Sequence, residues 1–271
     1  MKDELTIIKL GGALLTDKST PYTAREPIFG AVAREIKECI DSGLIQSLIL
    51  LHGVGSYGHP PVLEHKLHKG FQQPEQRLLL SKAFLIVNKL RFMLVKELQE
   101  AGLPVFMMYS SSMATAEKMK MKHYFLDALK GWLEVGMIPV IGGDMLPDMA
   151  MGWSVGSADQ LGVVLSRSLG ANKLIFATDV AGIYEGDPKI SPNAPLIAKV
   201  NLDEFEETLA KMGAGHNDAS GAMKGKLKAL VPAKDLVERG LEVSIISMMA
   251  PGHLKALLKG DKVPATLITS Q

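Results

Sequence analysis

The sequence predicts an α/β fold built on one mainly parallel sheet with helices on both faces. Three observations carry that expectation. Six short apolar runs rich in β-branched residues recur along the chain, helical patterns separate them, and 47% hydrophobic against 22% charged residues is an ordinary globular balance. At 271 residues the chain is long enough for one large domain or two small ones. The six runs are LTIIKL (5–10), SLILLH (47–52), LPVFMM (103–108), MIPVIGG (137–143), KLIFAT (173–178) and LEVSIIS (241–247). Amphipathic patterns over about 27–42, 75–101, 125–135, 158–170, 203–211 and 221–239 predict the helices. The stretch 184–197, with three prolines, reads as a loop, and 212–225 is glycine-rich ahead of a helix. Strand-type runs continue after both, so neither reads as a domain linker. The best division into lobes falls near residue 170, within one sheet.

Ligands of such sheets bind beyond the carboxyl ends of the strands, so chemistry is sought in the loops leaving these runs. HGVGSYGHPP (52–61) follows the second run and fits G-x-G-x-x-G at Gly53, Gly55 and Gly58. A dinucleotide site needs a second strand soon after, ending in an acidic residue, and the following residues are helical in pattern instead. The same glycines serve better as a phosphate cradle, in which backbone N–H groups converge on an anion and a helix N-terminus adds partial positive charge. His59, next to that loop, is either a donor to phosphate or a structural cap.

The first run ends in a second glycine turn, IIKLGGALLTDK, with Lys9 before Gly11 and Gly12 and Lys18 after them. Lysine is a mobile point charge suited to phosphate oxygens. Lys18 could equally be a surface residue, but Lys9 stands inside an apolar run, where a lysine is costly without a partner. Gly143 and Asp144 close the fourth run. Asp159 stands at the start of a helical pattern, as a cap or as an orienter of lysines. Thr178 and Asp179 precede the turn at Gly182, and DASGAMKGK (218–226) opens a helix with Gly221, Lys224 and Lys226.

Taken together, K-L-G-G (9–12), T-D-V-x-G-I-Y (178–184) followed by D-P (187–188), and S-G-x-M-x-x-K (220–226) resemble the amino acid kinase superfamily over nearly the whole chain. Within it, HGVGSYGHP is similar to the H-G-G-G-S-F-G-H-P of isopentenyl phosphate kinases, and LLTDKSTPYT (14–23) to their L-[ST]-D-K-x-x-P-Y. The resemblance implies an open three-layer αβα sandwich of a single domain, with a substrate lobe over about 1–170, a nucleotide lobe over about 171–271, and a homodimer. It implies transfer of a phosphoryl group from ATP, with Mg²⁺, to isopentenyl phosphate. Lys9 and Lys18 would hold the group in flight, with Asp159 keeping the lysines in register. Gly12 and Gly55, with Gly11, would offer the turn to ATP, while His59 and the backbone of Val54 and Gly143, beside Asp144, would bind the acceptor phosphate. Asp179, Gly182, Gly221, Ala222, Lys224 and Lys226 would hold the nucleotide.

Two positions depart from the family pattern. Val54 replaces a glycine, which narrows the backbone if a positive φ is needed there. Ala158 stands where S-G-D-D has a carboxylate. A related kinase acting on another small phosphate or phosphonate, as fosfomycin kinases do, therefore stays open, as does a non-catalytic storage or regulatory protein of the same fold. The apolar stretch 77–99 holds Phe84, Ile86 and Val87, which either line a pocket for an isoprenyl tail or simply bury a helix on two sides.

Charge and composition limit the remaining classes. A net charge of +1 argues against a nucleic-acid partner. No run reaches the ~18 apolar residues of a membrane span. The N-terminus resembles neither a signal nor a transit peptide. The single Cys39 has no partner for an internal disulfide, which favours a reducing cytoplasm. No residue pattern reads as a metal site.

Overall fold

The structure, a computed structural model, describes residues 4–212 and 219–270. Its centre is an eight-stranded sheet: β1 (Leu5–Leu10), β2 (Ser47–His52), β3 (Val105–Tyr109), β4 (Ile138–Gly142), β5 (Lys173–Thr178), β6 (Lys199–Asn201), β7 (Glu242–Ser247) and β8 (Ala265–Thr269), in the spatial order β6-β8-β7-β5-β1-β2-β4-β3. The six strands from β7 to β3 in that order are mutually parallel and coincide with the six runs read from the sequence. β8 pairs antiparallel with β7. The sheet is unbroken at residue 170, because β1 pairs with β2 on one side and β5 on the other.

The principal helices are α1 (Glu26–Asp41), α2 (Gly55–Glu64), α3 (Gln76–Glu100), α4 (Asp127–Glu134), α5 (Ala158–Leu169), α6 (Ala219–Leu230) and α7 (His253–Lys259). They cover the sheet from both sides. Because side chains alternate along a strand, β1 sends Leu5 and Ile7 to one apolar layer, shared with Leu161 and Leu165 of α5 and Leu227 of α6, and sends Ile8 and Leu10 to the other, shared with Ile36 of α1 and Leu94 of α3. Lys9 follows the parity of Ile7. It therefore stands on the side covered by α5 and α6.

Several elements differ from expectation. The pattern over 221–239 is interrupted by a tight turn at Val231–Ala233, where Pro232 removes an N–H, and resumes at Lys234–Glu238. The loop 184–197 closes with a two-residue hairpin, Ile183–Tyr184 against Leu196–Ile197. Most of the glycine-rich segment expected ahead of α6, including Asp218, lies outside the described residues. A second sheet, unread in the sequence, runs in the order Lys120–Tyr124, Ala114–Glu117, Asp144–Asp148, Gly152–Gly156. Its strands are short, and its bend is held by the Asp148 carboxylate, which accepts the N–H groups of Lys118, Met119, Ala150 and Met151. Trp153 seals this unit by donating its indole N–H to Leu67 O at 3.0 Å.

Candidate active site

The carboxyl ends of β1, β2, β4 and β5 open into one cavity of about 990 Å³, bordered by Lys9, Gly12, Val54, Gly143, Asp159 and Asp179 among others. Two glycine turns form its floor. They touch backbone to backbone: a Cβ added at Gly12 would lie 2.6 Å from Gly55 N, and one at Gly53 would lie 2.7 Å from Gly12 N. Only hydrogen fits between them. Gly55 also has φ of +46°, so it meets two requirements that a larger residue cannot meet together. Val54 takes φ −96°, ψ −15°, an ordinary conformation for valine, so its departure from glycine carries no backbone strain.

Backbone hydrogen bonds decide which N–H groups can meet an anion. Gly11 N–H is donated to Ala177 O (2.7 Å), Gly53 N–H to Leu10 O (2.8 Å) and Gly143 N–H to His52 O (3.1 Å). These bonds lock the turns to neighbouring strands. Gly143, expected to donate to a phosphate, thus has its donor engaged, whereas among the described residues no backbone acceptor pairs with the N–H of Gly12, Val54 or Gly55. The last two stand at the N-terminus of α2, where partial positive charge adds to the donors.

The loop carrying Lys18 is tied down over this floor. Pro60 removes the N–H that would bond Ser56 O within α2, and that carbonyl instead accepts Tyr22 N–H at 3.1 Å. Ser56 Oγ receives Thr23 N–H at 3.3 Å, and Thr16 Oγ1 accepts Ser56 N–H at 2.9 Å while donating to Gly12 O at 2.7 Å. Lys18 and His59 both border the cavity, Lys18 half-buried and His59 exposed.

Behind the floor stands a buried ionic cluster. Lys9 Nζ lies 2.8 Å from Asp159 Oδ1, and Lys226 Nζ lies 3.3 Å from the same oxygen and 3.4 Å from Oδ2. Ser157 rather than Asp159 caps α5, by accepting Asp159 N–H at 3.2 Å, so the carboxylate is left to the lysines. Burial alone would raise the Asp159 carboxyl, but Lys226 and Lys9 outweigh it and hold it well below the usual carboxylate range. Burial pushes Lys226 down to about 8, with Lys9 acting in the same direction and Asp159 against both. The Lys226 ammonium also lies 4.7 Å from the centre of the Phe176 ring. From α6 the cavity is bordered by Lys226 and Lys228 rather than by Lys224; Gly221 and Ala222 stand in the first turn of that helix.

On the β5 side, Asp179 is gripped by Lys189, whose Nζ lies 2.6 Å from Oδ2, and by Thr178, whose hydroxyl donates to Oδ1 at 3.1 Å. Gly182 packs against Thr266, where any Cβ would overlap the Oγ1. Asp144, expected beside the acceptor phosphate, borders the cavity, but its carboxylate is engaged inside the protein. It bonds Arg91 Nη2 at 2.7 Å and receives the Ser110 hydroxyl at 3.2 Å. Ile86 likewise corrects an expectation, since it packs into the apolar layer beneath α3 and not on the cavity wall. Phe84 and Val87 do line the wall, with Ala83 and Met145, and Phe84 rests against Tyr109 at 5.4 Å between ring centres.

Sequence reasoning passed over His52, Arg91, Thr16 and Lys189. A lone arginine at the middle of an apolar helical pattern, and a histidine closing an apolar strand, were the signals for two of them.

The model of the amino acid kinase family matches residues 4–247. The chain belongs to the amino acid kinase family. Among members of that family, an isopentenyl phosphate kinase of Methanothermobacter thermautotrophicus is 32% identical over 98% of this chain and the whole of that protein. A glutamate 5-kinase of Idiomarina loihiensis is 24% identical over 98% of this chain and 67% of its own length. A solved isopentenyl phosphate kinase structure superposes with a TM-score of 0.82 at 29% identity, covering 98% of this chain and 100% of that one. The amino acid kinase fold explains the mostly parallel sheet and the gathering of glycine turns at one edge. No helix among the described residues is long and apolar enough to cross a membrane.

Proposed function

We propose that this protein transfers the γ-phosphoryl group of ATP to isopentenyl phosphate, yielding ADP and isopentenyl diphosphate. The reading rests on one observation above all: a single cavity is cationic at one end, where two lysines share Asp159, and apolar along the Phe84–Val87 wall of α3. An anionic head carrying a branched hydrocarbon tail matches both ends. The similarity to isopentenyl phosphate kinases supports the same acceptor.

In this reading an oxygen of the acceptor phosphate attacks Pγ while the bond from Pγ to the β-phosphate oxygen breaks and ADP departs. A phosphate monoester is already nucleophilic, so the protein needs no strong base and works by positioning and charge neutralisation. Lys9 and Lys18 hold the moving group, and Lys226 the nucleotide phosphates. Gly12 and Gly55 offer N–H donors toward ATP; Val54 N–H and the His59 ring take the acceptor phosphate. Residues beyond about 170 form the nucleotide side of the sheet and those before it the acceptor side. Of the carboxylates bordering the cavity, Asp144, Asp159 and Asp179 are paired with cations and Asp187 accepts the Lys189 backbone N–H at 2.9 Å, and among the described residues no group of three or more His, Cys, Asp or Glu is placed to hold a metal ion. Mg²⁺ is therefore assigned to the bound ATP as part of that substrate, with no protein ligand named. A homodimer in the cytoplasm completes the reading.

The test is ADP release with Mg-ATP across isopentenyl phosphate, dimethylallyl phosphate, fosfomycin, carbamate and simple amino acids, repeated with His59→Ala. Isopentenyl phosphate should turn over fastest, and the variant should lose about 100-fold or more in kcat/KM for it, the scale of one preorganised donor. Turnover confined to another acceptor moves the substrate, and silence on all five removes the enzymatic reading.

A further inference from the structure

Arg91 is the largest fully buried side chain among the described residues, and every arm of its fork is occupied. Its Nε–H donates to His52 Nε2 at 3.0 Å, Nη1 to Asn88 Oδ1 at 3.1 Å and Nη2 to Asp144 Oδ1 at 2.7 Å, while the guanidinium lies 4.6 Å over the Tyr109 ring. Since His52 Nε2 accepts, the ring proton sits on Nδ1, which faces Gly53 O at 3.1 Å. Gly142 makes room for the whole assembly, because a Cβ there would overlap Arg91 Nη2 and stand 2.5 Å from His52 Nε2. Asp144 is tied further to Ser110, whose single hydroxyl proton is shared between Asp144 Oδ2 at 3.2 Å and Gly142 O at 3.0 Å. One cation from α3 thus connects the carboxyl ends of β2, β3 and β4. The β2 end leads straight into a turn of the cavity floor, and the β4 end into Gly143 and Asp144, which also border the cavity.

A buried ion pair of this kind seldom repays its desolvation as stability, since apolar residues of the same volume often serve as well. What the fork supplies is fixed geometry. We propose that Arg91 is a positioning residue for the acceptor-phosphate site: it holds His52 in the neutral Nδ1–H tautomer and anchors Asp144, so that the turns at Gly53–Gly55 and Gly142–Asp144 keep one spacing. The assignment of that site to the acceptor rests on the kinase reading above.

The groups around His52 make the tautomer testable apart from catalysis. Arg91 approaches from α3, Lys9 is the charged residue of the neighbouring β1, and Asp144 reaches it only through Arg91. Burial first, then the Arg91 charge, keeps the His52 ring far below the usual imidazole range. Without the guanidinium, burial still disfavours the charged ring, but one cause of the depression is gone and Asp144 is left with no intervening cation, so His52 takes up a proton at higher pH than in the wild type.

The experiment compares wild type, Arg91→Gln and Arg91→Lys by two readouts. In NMR titrations of ¹⁵N-histidine-labelled protein without substrate, wild-type His52 should stay neutral with the proton on Nδ1 across the mildly acid range, while in Arg91→Gln the ring should protonate at higher pH than in the wild type and lose its fixed tautomer. In steady-state kinetics both variants should raise KM for isopentenyl phosphate by about 100-fold, the usual cost of an ångström-scale misplacement, with KM for ATP unchanged. Arg91→Lys keeps the charge but not the fork, so its His52 should stay neutral while its KM still rises. A folded Arg91→Gln with a neutral, unshifted His52 overturns the lock, and wild-type KM in Arg91→Lys overturns the positioning role. Should Arg91→Gln fail to fold, the proposal stands or falls on the KM of Arg91→Lys for isopentenyl phosphate. If isopentenyl phosphate proves inert with the wild type, the kinase reading fails while the NMR arm still decides the lock.

Discussion

Two clusters of buried charge stand at the carboxyl edge of the same sheet, and they are balanced differently. On the β2–β4 side, Arg91 faces Asp144 with a neutral His52 between the strands, and both charged side chains are closed to solvent at 0% and 1% exposure. On the β1–β5 side, Lys9 and Lys226 share the single carboxylate of Asp159, which keeps 15% exposure at the cavity. The first cluster is electrically complete and can only hold parts in place. The second carries one surplus positive charge in a poorly solvated setting, which in the proposed reading an incoming polyphosphate neutralises. A buried charge cluster is thus read by its balance: a closed one belongs to the frame, and an open one belongs to the chemistry.

The strongest way to break this contrast is to remove the surplus. Lys9→Ala should lower kcat by about 100- to 1,000-fold, as loss of one preorganised electrostatic donor does elsewhere. The circular dichroism of that variant should stay native, because Asp159 keeps Lys226 as its partner. Wild-type turnover in Lys9→Ala would place the chemistry somewhere else. A smaller effect, about 10- to 100-fold in kcat, is expected for Asp159→Asn, which leaves both lysines in place but no longer held. The same substitution sharpens the pH dependence. Lys226 is cationic below about 8 in the free protein, so kcat/KM should fall as pH rises through that value. Asp159 is the group that opposes this depression, so in Asp159→Asn the alkaline decline should begin at lower pH. An unmoved alkaline limb would mean that Lys226 is not the group that titrates.

The smallest effect is expected at Val54. Its backbone is already helical and its N–H is retained by any residue, so Val54→Gly should leave kcat within about threefold and cost about 0.5–1 kcal/mol in thermal stability through added backbone freedom. A large gain in turnover would show instead that the Val54 side chain, which packs on Gly58 and faces Val87 across it, is a filter on the acceptor.

Much of this was legible in the sequence because it depends on periodicity and on glycine. All six parallel strands lie in predominantly apolar runs, the form that a strand buried on both faces takes. Lys9 was readable because a lysine inside such a run needs a partner. The partner was less so: Asp159 at a helix start has the composition of a cap, and only the fold reveals that Ser157 takes that duty. The second sheet stayed hidden because its four short strands carry no sustained alternation and rely on one carboxylate, Asp148, for their bend. Gly143 and Asp144 border the cavity as expected but with the Gly143 N–H and the Asp144 carboxylate already engaged, and Ile86 lies off the wall, for a common reason: sequence places a residue near a site but does not say which way its N–H or side chain points. In each case a neighbour distant in sequence, His52, Arg91 or the apolar layer under α3, claimed the group first.

The contact of Gly12 with Gly55 has a consequence for redesign. Because the turn assigned to the phosphoryl donor and the turn leading to its acceptor meet through bare backbone, neither can be re-shaped without displacing the other. An engineer seeking a new acceptor gains nothing by editing these loops. In the proposed reading the adjustable part is the wall contributed by Phe84 and Val87, where room for a longer or shorter tail could be made while the ionic machinery is inherited whole.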